Sequence, residues 1–139
     1  MKHIGAAALS LTLFVVAWSI VAGLLTAGSL AVGPNGGVGI VLAWGALTAG
    51  PLVGGFVAVF GTCRWMRELP TGRVWGSYAA AMVLFAVVFT APWYLIEDGI
   101  GQGTPQQLQA VVLAVAVALA GGFLGHLVAA RARRVRAAG

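Results

Sequence analysis

Long apolar stretches joined by short polar connections make up almost the whole chain. Four such stretches cover residues 4–32, 38–61, 74–96 and 105–130 of the 139-residue sequence. A helix needs about 20 apolar residues to cross the hydrocarbon core of a bilayer, and each stretch is at least that long. The pattern therefore predicts an all-α polytopic membrane protein with one domain, residues 1–139, in which four transmembrane helices form a compact bundle.

Turn formers and charged residues separate the stretches. Residues 33–37 (Gly-Pro-Asn-Gly-Gly) divide the first stretch from the second, because glycine, proline and asparagine favour tight turns. A basic inner loop at 62–73 and an acidic, glycine-rich outer loop at 97–104 form the other connections. Residues 104–107 (Thr-Pro-Gln-Gln) fit a capping box that begins the fourth helix. A basic tail at 131–139 ends the chain.

The charged residues all lie outside the four stretches, and their sign differs between connections. The basic residues are Lys2, Arg64, Arg67, Arg73, Arg131, Arg133, Arg134 and Arg136. Between the third and fourth stretches the only charges are acidic, on Glu97 and Asp98. Cytoplasmic loops of membrane proteins carry an excess of Lys and Arg. We therefore expect both termini and the inner loop to be cytoplasmic.

The amino-acid composition agrees with a membrane protein and indicates the kind of organism it comes from. Hydrophobic residues make up 60% of the chain and charged residues 8%, whereas a soluble domain is about 45–50% apolar and about 25% charged. Abundant Ala, Gly, Val and Arg beside a single Lys is typical of a GC-rich bacterial genome. We expect a multi-pass protein of the bacterial cytoplasmic (inner) membrane.

The net charge of +5 raises the question of nucleic acid. Each basic cluster, however, directly follows an apolar stretch, where anionic headgroups attract Lys and Arg. We therefore expect membrane lipid rather than nucleic acid as a partner. The predicted headgroup contacts are Arg64, Arg67, Arg131, Arg133, Arg134 and Arg136.

The first stretch has a second interpretation as a signal peptide. Lys2 gives a short basic start, and residues 29–31 (Ser-Leu-Ala) have small side chains at cleavage spacing. The apolar run is about twice the 7–15 residues of a signal-peptide core, which favours a retained span. Cleavage would leave the other three spans oriented as before.

Small residues recur every three or four positions along the second and fourth helices. Helices associate in a bilayer through close backbone approach, which small residues permit. We predict that these faces pack against other helices inside the bundle, in a second copy of the chain (self-association) or in partner membrane proteins. The predicted packing residues are Gly39, Ala43, Gly50, Gly54, Ala58, Ala114, Ala118, Gly122 and Gly125. Pro51, near the middle of the second helix, predicts either a hinge at a transport site or a static kink.

The second and fourth stretches also share a short pattern. Residues 54–56 (Gly-Gly-Phe) are followed by Arg64 and Arg67, and residues 121–123 (Gly-Gly-Phe) are followed at the same distances by Arg131 and Arg134. The pattern is consistent with two parallel repeats or with chance recurrence.

Few residues inside the stretches could carry chemistry. No Asp, Glu, Lys or Arg lies there, which argues against ion-coupled transport. His126 is either a hydrogen-bonded structural imidazole, a headgroup contact or a cofactor ligand. Trp18 and Trp44 lie within their spans, so their indole N–H groups need partners, and with His126 they are weak binding candidates. We expect no cofactor, metal site or catalytic residue.

Three functions are compatible with the sequence. The first is a small non-catalytic membrane protein, a subunit or partner-binding component that docks through its Gly/Ala faces. The alternative is an oligomeric transporter or channel for a neutral or apolar solute, with its pathway near Pro51. The third is a lipid-headgroup enzyme, which would require His126, Cys63, Glu68 and the inner arginines to converge.

Overall fold

Four long α-helices form the structure. The computed structural model describes residues 2–95 and 105–138, and the side chains within 2–88 and 108–137. The helices are α1 (Lys2–Val32), α2 (Gly37–Trp65), α3 (Thr71–Leu95) and α4 (Pro105–Ala138). Each is long and apolar enough to cross a membrane, which confirms the all-helical, four-span prediction at that level. Glu97, Asp98 and the capping Thr104 lie outside the described residues.

The helices extend beyond the apolar stretches at the basic end of the molecule. The connection between α2 and α3 is only residues 66–70, and α4 continues through the arginine-rich tail to Ala138. A helix satisfies its backbone hydrogen bonds internally, and arginine is a good helix former, so α4 need not end where its apolar stretch ends. At the start of α3, the Arg73 and Val74 amides donate to the Pro70 carbonyl at 3.0 and 3.2 Å.

The α1–α2 turn requires glycine. Gly33 has a φ of 94°, a left-handed conformation that glycine adopts without steric cost. Its carbonyl accepts a hydrogen bond from the Gly36 amide at 3.1 Å, and a Cβ at Gly39 would overlap that same carbonyl. The buried Ser29 hydroxyl donates to the Gly39 carbonyl at 2.8 Å. These contacts hold the end of α1 against the start of α2.

Helix α2 lies between α1 and α4 and packs extensively against both. Helix α3 contacts α1 and α4 and, less extensively, α2, whereas α1 and α4 do not touch within the described residues. Contacts between α2 and α4 advance together along the two helices, from Leu52 with Gly121 to Phe56 with Gly125, so these helices run in parallel.

The α2–α4 interface has almost no room for side chains. A Cβ on Gly55 would overlap the Ala118 carbonyl, and one on Gly121 would overlap the Leu52 carbonyl. A Cβ on Gly125 would lie 2.7 Å from the Phe56 carbonyl oxygen. The two backbones therefore contact each other directly, as in small-xxx-small helix pairs.

Tyr78 of α3 joins three helices. Its side chain is fully buried and its hydroxyl donates to the Ala118 carbonyl of α4 at 3.2 Å. Its ring lies against Gly122, where an added Cβ would be 2.6 Å from the ring edge. The Phe14 ring of α1 lies 6.2 Å away at 53°. Glycine at 122 thus makes the space that this tyrosine fills.

The predicted packing residues fall into distinct environments. Gly50 and Gly54 lie against Trp18 and Phe14 of α1, while Ala58 and Ala118 are fully buried. Gly122 and Gly125 face α3 and α2, and Ala114 is half-buried. Gly39 contacts its own preceding turn, and Ala43 is exposed. Helix α2 continues without a break through the buried Pro51.

Candidate functional site at the basic end of the bundle

Charged groups from three parts of the chain meet at one end of the bundle. The Lys2 ammonium of α1 lies 2.6 Å from the Glu68 carboxylate in the α2–α3 connection. The Arg133 guanidinium of α4 reaches the same connection, where it donates to the Leu69 carbonyl. The N-terminus, the connection and the end of α4 are therefore neighbours in space.

A groove between α2 and α4 opens at this end, with a volume of about 610 Å³. We call it the arginine groove because four arginines line it, two from each side. None of the described residues that line it is acidic. They are Phe60, Cys63, Arg64, Arg67, Ala129, Ala132, Arg133, Arg136 and Ala137.

Arg133 fixes the geometry of the groove. Its Nη1 donates to the Leu69 carbonyl and its Nη2 to the Cys63 carbonyl, both at 2.7 Å. The Cys63 carbonyl belongs to the last turn of α2, where carbonyls lack intrahelical partners. A cation is also favourable at a helix C-terminus because of the helix dipole. Arg133 therefore caps α2 and ties the two walls of the groove together.

Arg64 and Arg67 form the other wall. Arg67 follows the end of α2, and its Nε donates to the Arg64 carbonyl at 3.4 Å. Both side chains are exposed, as is Arg136 opposite them. Because a guanidinium has five N–H donors, these three groups retain donors for a ligand.

Glu68 does not neutralise the groove. Its carboxylate pairs with Lys2, and the hydrogen bond and charge of that ammonium lower the pKa of Glu68 below its usual 4.5. The pair is exposed, with 71% and 78% of the two side chains accessible, so it contributes little to stability. The one carboxylate of the α2–α3 connection is therefore already paired with a lysine.

Only part of the predicted headgroup set enters the groove. Arg64, Arg67, Arg133 and Arg136 line it, whereas Arg131 and Arg134 are exposed on α4 without lining it. The sequence pattern pairs Arg64 and Arg67 with Arg131 and Arg134. The structure instead sets Arg133 and Arg136 opposite them, because these two continue the face of α4 that carries Gly125 and Ala129.

His126 lies on α4 about one turn above the groove. Its ring is half-buried and 6.1 Å from the Phe123 ring, and its Nδ1 is buried with no hydrogen-bond partner among the described residues. The buried Thr62 hydroxyl and Trp75 Nε1 share that condition. His126 is not among the residues that line the groove. Among the described residues, His126 belongs to no cluster of three or more metal-ligating side chains.

The two other weak binding candidates lie elsewhere on the bundle. Trp18 is stacked on Phe14, with ring centroids 6.1 Å apart, and its indole covers Gly50. Trp44 is 58% exposed, and its carbonyl accepts the Thr48 hydroxyl at 2.9 Å. Trp18 is therefore a packing residue of the α1–α2 interface.

The groups at this end are of the kind that bind anions. Cys63, a free and buried thiol, is one of the residues that line the groove. Within residues 2–95 and 105–138, no three His, Cys, Asp or Glu side chains come together as a metal site. Guanidinium groups bind carboxylates and phosphates through paired N–H donors. The arrangement suits a multivalent anion.

Sequence reasoning missed Arg133 as a structural bridge and Tyr78 as the central core residue. A signal for the first was present. The small face of α4 at Gly122, Gly125 and Ala129 continues at helical spacing into Arg133 and Arg136, once α4 is allowed to run past residue 130. No comparable sequence signal marks Tyr78.

No protein-family model, curated protein or solved structure matches this chain.

Proposed function

We propose that the chain is a non-catalytic, multi-pass protein of the bacterial cytoplasmic membrane that binds an anionic lipid headgroup at its inner face. The convergence of Lys2, the α2–α3 connection and the end of α4 at one end of the bundle supports a common side for them. The positive-inside tendency makes that side cytoplasmic.

The observation that carries the proposal is the arginine groove. Four arginines line a volume of about 610 Å³, and the carboxylate of Glu68, in the adjoining α2–α3 connection, is paired with Lys2. Basic pockets between helices on the cytoplasmic side are suited to phosphate headgroups. Phe60, Ala129 and Ala132 line the groove as well, and they give acyl chains an apolar surface beside the charges.

Arginine suits this role better than lysine would. Its planar fork makes two parallel hydrogen bonds to one phosphate and keeps its charge at any physiological pH. Anionic lipid attracts each basic group near the surface by about 1 kcal/mol. Arginines held in one groove can act on one headgroup together, whereas the same number scattered over the surface would bind lipid only diffusely.

The test compares two double variants of equal charge. Arg67→Ala/Arg136→Ala removes one arginine from each wall of the groove, and Arg131→Ala/Arg134→Ala removes two from α4 outside it. Lipid binding is measured by native mass spectrometry of detergent-solubilised protein titrated with phosphatidylglycerol. We expect the first variant to lose at least tenfold in affinity and the second to remain within twofold of wild type.

Equal losses in the two variants would show diffuse attraction to net charge and would contradict a built site. Saturable binding of neutral phosphatidylcholine at the same concentrations would also contradict it. All four arginines are exposed, and Arg133 remains in place in both variants. Equal melting temperatures of the two variants and wild type serve as the folding control.

Docking of partner helices through the Gly/Ala faces of α2 and α4 stays a prediction. Most of the glycines on those faces lie against α1, α3 or each other. One observation favours docking on α1 instead: a Cβ added to Gly23 would have no atom of another helix within 4 Å, and Ser19 and Ala27 beside it are exposed. A transmembrane helix of another subunit would fit this face.

Gly23→Leu tests that second function. It should abolish co-purification of a native subunit while leaving the melting temperature of the isolated protein unchanged. Unchanged co-purification in the Gly23→Leu protein would exclude docking at this face. The predicted transport and headgroup-enzyme functions also stay predictions.

A further inference from the structure

The arginine groove has more positive charge than a single phosphate neutralises. Its four arginines leave a net charge of about +3 after one monoanionic headgroup binds, and none of the described residues that line the groove carries a carboxylate. Like charges held close together in one groove repel one another. A ligand with a second anionic group would remove more of that repulsion.

The arginines are arranged in two pairs. Arg64 and Arg67 belong to the α2 side, and Arg133 and Arg136 to the α4 side. Arg133 uses two of its N–H donors on the Leu69 and Cys63 carbonyls, which leaves three of its five. Each side therefore presents two guanidinium groups with free donors, enough for bidentate contact with one phosphate per side.

The volume of the groove also exceeds what one phosphate fills. A water molecule takes up about 30 Å³ of liquid, so a groove of about 610 Å³ has room for roughly twenty waters. Sites for small ligands typically have about 300–1,000 Å³. A headgroup with two phosphates and the atoms that link them matches this size.

The apolar residues that line the groove favour a lipid over a soluble anion as its ligand. Phe60 precedes Arg64 by one helical turn on α2, and Ala129 precedes Arg133 by one turn on α4. One end of the groove is therefore apolar and the other is charged. An amphiphile fits this gradient, whereas free inorganic phosphate or diphosphate would use only the charged end.

We propose that the arginine groove selects lipids that carry two phosphates over lipids that carry one. The inference rests on the lipid-binding function proposed above. It specifies the class of headgroup, a pair of phosphates joined through a short linker, with one phosphate held by the two arginines on each side of the groove.

The experiment measures three affinities by native mass spectrometry, for cardiolipin, phosphatidylglycerol and inorganic pyrophosphate, at equal phosphate concentration. We expect cardiolipin to bind at least tenfold more tightly than phosphatidylglycerol, and pyrophosphate more weakly than either lipid. The variant Arg64→Ala/Arg67→Ala removes the α2 pair and should reduce the cardiolipin preference to less than threefold. Arg131→Ala/Arg134→Ala should keep the preference of wild type.

The outcomes separate this inference from the function on which it rests. Equal affinity for the two lipids, lost in Arg67→Ala/Arg136→Ala, would overturn the two-phosphate selection and leave lipid binding intact. Absence of saturable binding by either lipid would overturn both. Pyrophosphate binding as tightly as cardiolipin would overturn the assignment to a lipid.

Discussion

At the residue scale, Arg133 does the most to define the candidate site. One guanidinium joins α4 to the last turn of α2 and to the α2–α3 connection through two hydrogen bonds of 2.7 Å. Both acceptors are backbone carbonyls, so the contact depends on the fork shape of the donor and not on a partner charge. Lysine at this position would keep the charge but could not place two donors in the same geometry.

Arg133→Lys should therefore lower stability even though it preserves charge. Hydrogen bonds from charged groups contribute about 1.5–3 kcal/mol each when buried, and Arg133 is only half-buried, so we expect a total loss of about 1–3 kcal/mol. The measurement is the apparent melting temperature in detergent, with Arg134→Lys on the exposed side of α4 as the control. A melting temperature of Arg133→Lys equal to that of wild type would refute the bridging role.

At the element scale, the parallel α2–α4 pair depends on glycines that face backbone. The Ala118 carbonyl lies where a Cβ of Gly55 would be, and the Leu52 carbonyl where one of Gly121 would be. Backbone cannot move aside as a flexible side chain can, so an added methyl must separate the helices. Gly23 on α1 and Gly76 on α3 have no such neighbour within 4 Å.

Gly55→Ala and Gly23→Ala should thus differ in their effect on stability. Overpacking costs about 1–3 kcal/mol, so Gly55→Ala should lower the apparent melting temperature. Alanine in a helix is favoured over glycine by about 1 kcal/mol, so Gly23→Ala should leave that temperature unchanged or raise it. A Gly55→Ala protein as stable as Gly23→Ala would mean that the two helices do not approach as closely as the structure shows.

The elements were more predictable from sequence than the site. Hydropathy locates all four helices because a span must be apolar over its whole length, and glycine spacing marks Gly122 and Gly125 as close contacts. The groove was not predictable from the same pattern. It depends on α4 continuing past residue 130, which decides that Arg133 and Arg136, and not Arg131 and Arg134, face α2. A change of one or two residues along a helix moves a side chain to another face.

At the scale of the whole molecule, the charged residues are distributed asymmetrically along the bundle. Lys2, the α2–α3 connection and the end of α4 lie together, while the α1–α2 turn carries no charged residue. We expect the charged end to face the cytoplasm. The lipid-binding proposal requires that the groove lie at the depth of the inner-leaflet headgroups.

Cysteine labelling in intact cells tests that orientation. In a Cys63→Ala background, Asn35→Cys places a thiol in the α1–α2 turn and Gly72→Cys places one at the start of α3, both at exposed positions. A membrane-impermeant maleimide should label Asn35→Cys from outside and Gly72→Cys only after permeabilisation. The opposite labelling pattern would invert the topology and place the groove on the outer face.

The most direct test of lipid binding in the arginine groove is a ¹⁵N–³¹P dipolar recoupling measurement on arginine-labelled protein in cardiolipin-containing bilayers. Binding in the groove should give strong coupling of guanidinium nitrogens to lipid phosphorus, retained in Arg131→Ala/Arg134→Ala and largely lost in Arg67→Ala/Arg136→Ala. Coupling that falls equally in the two variants, or that is absent in wild type, would contradict it.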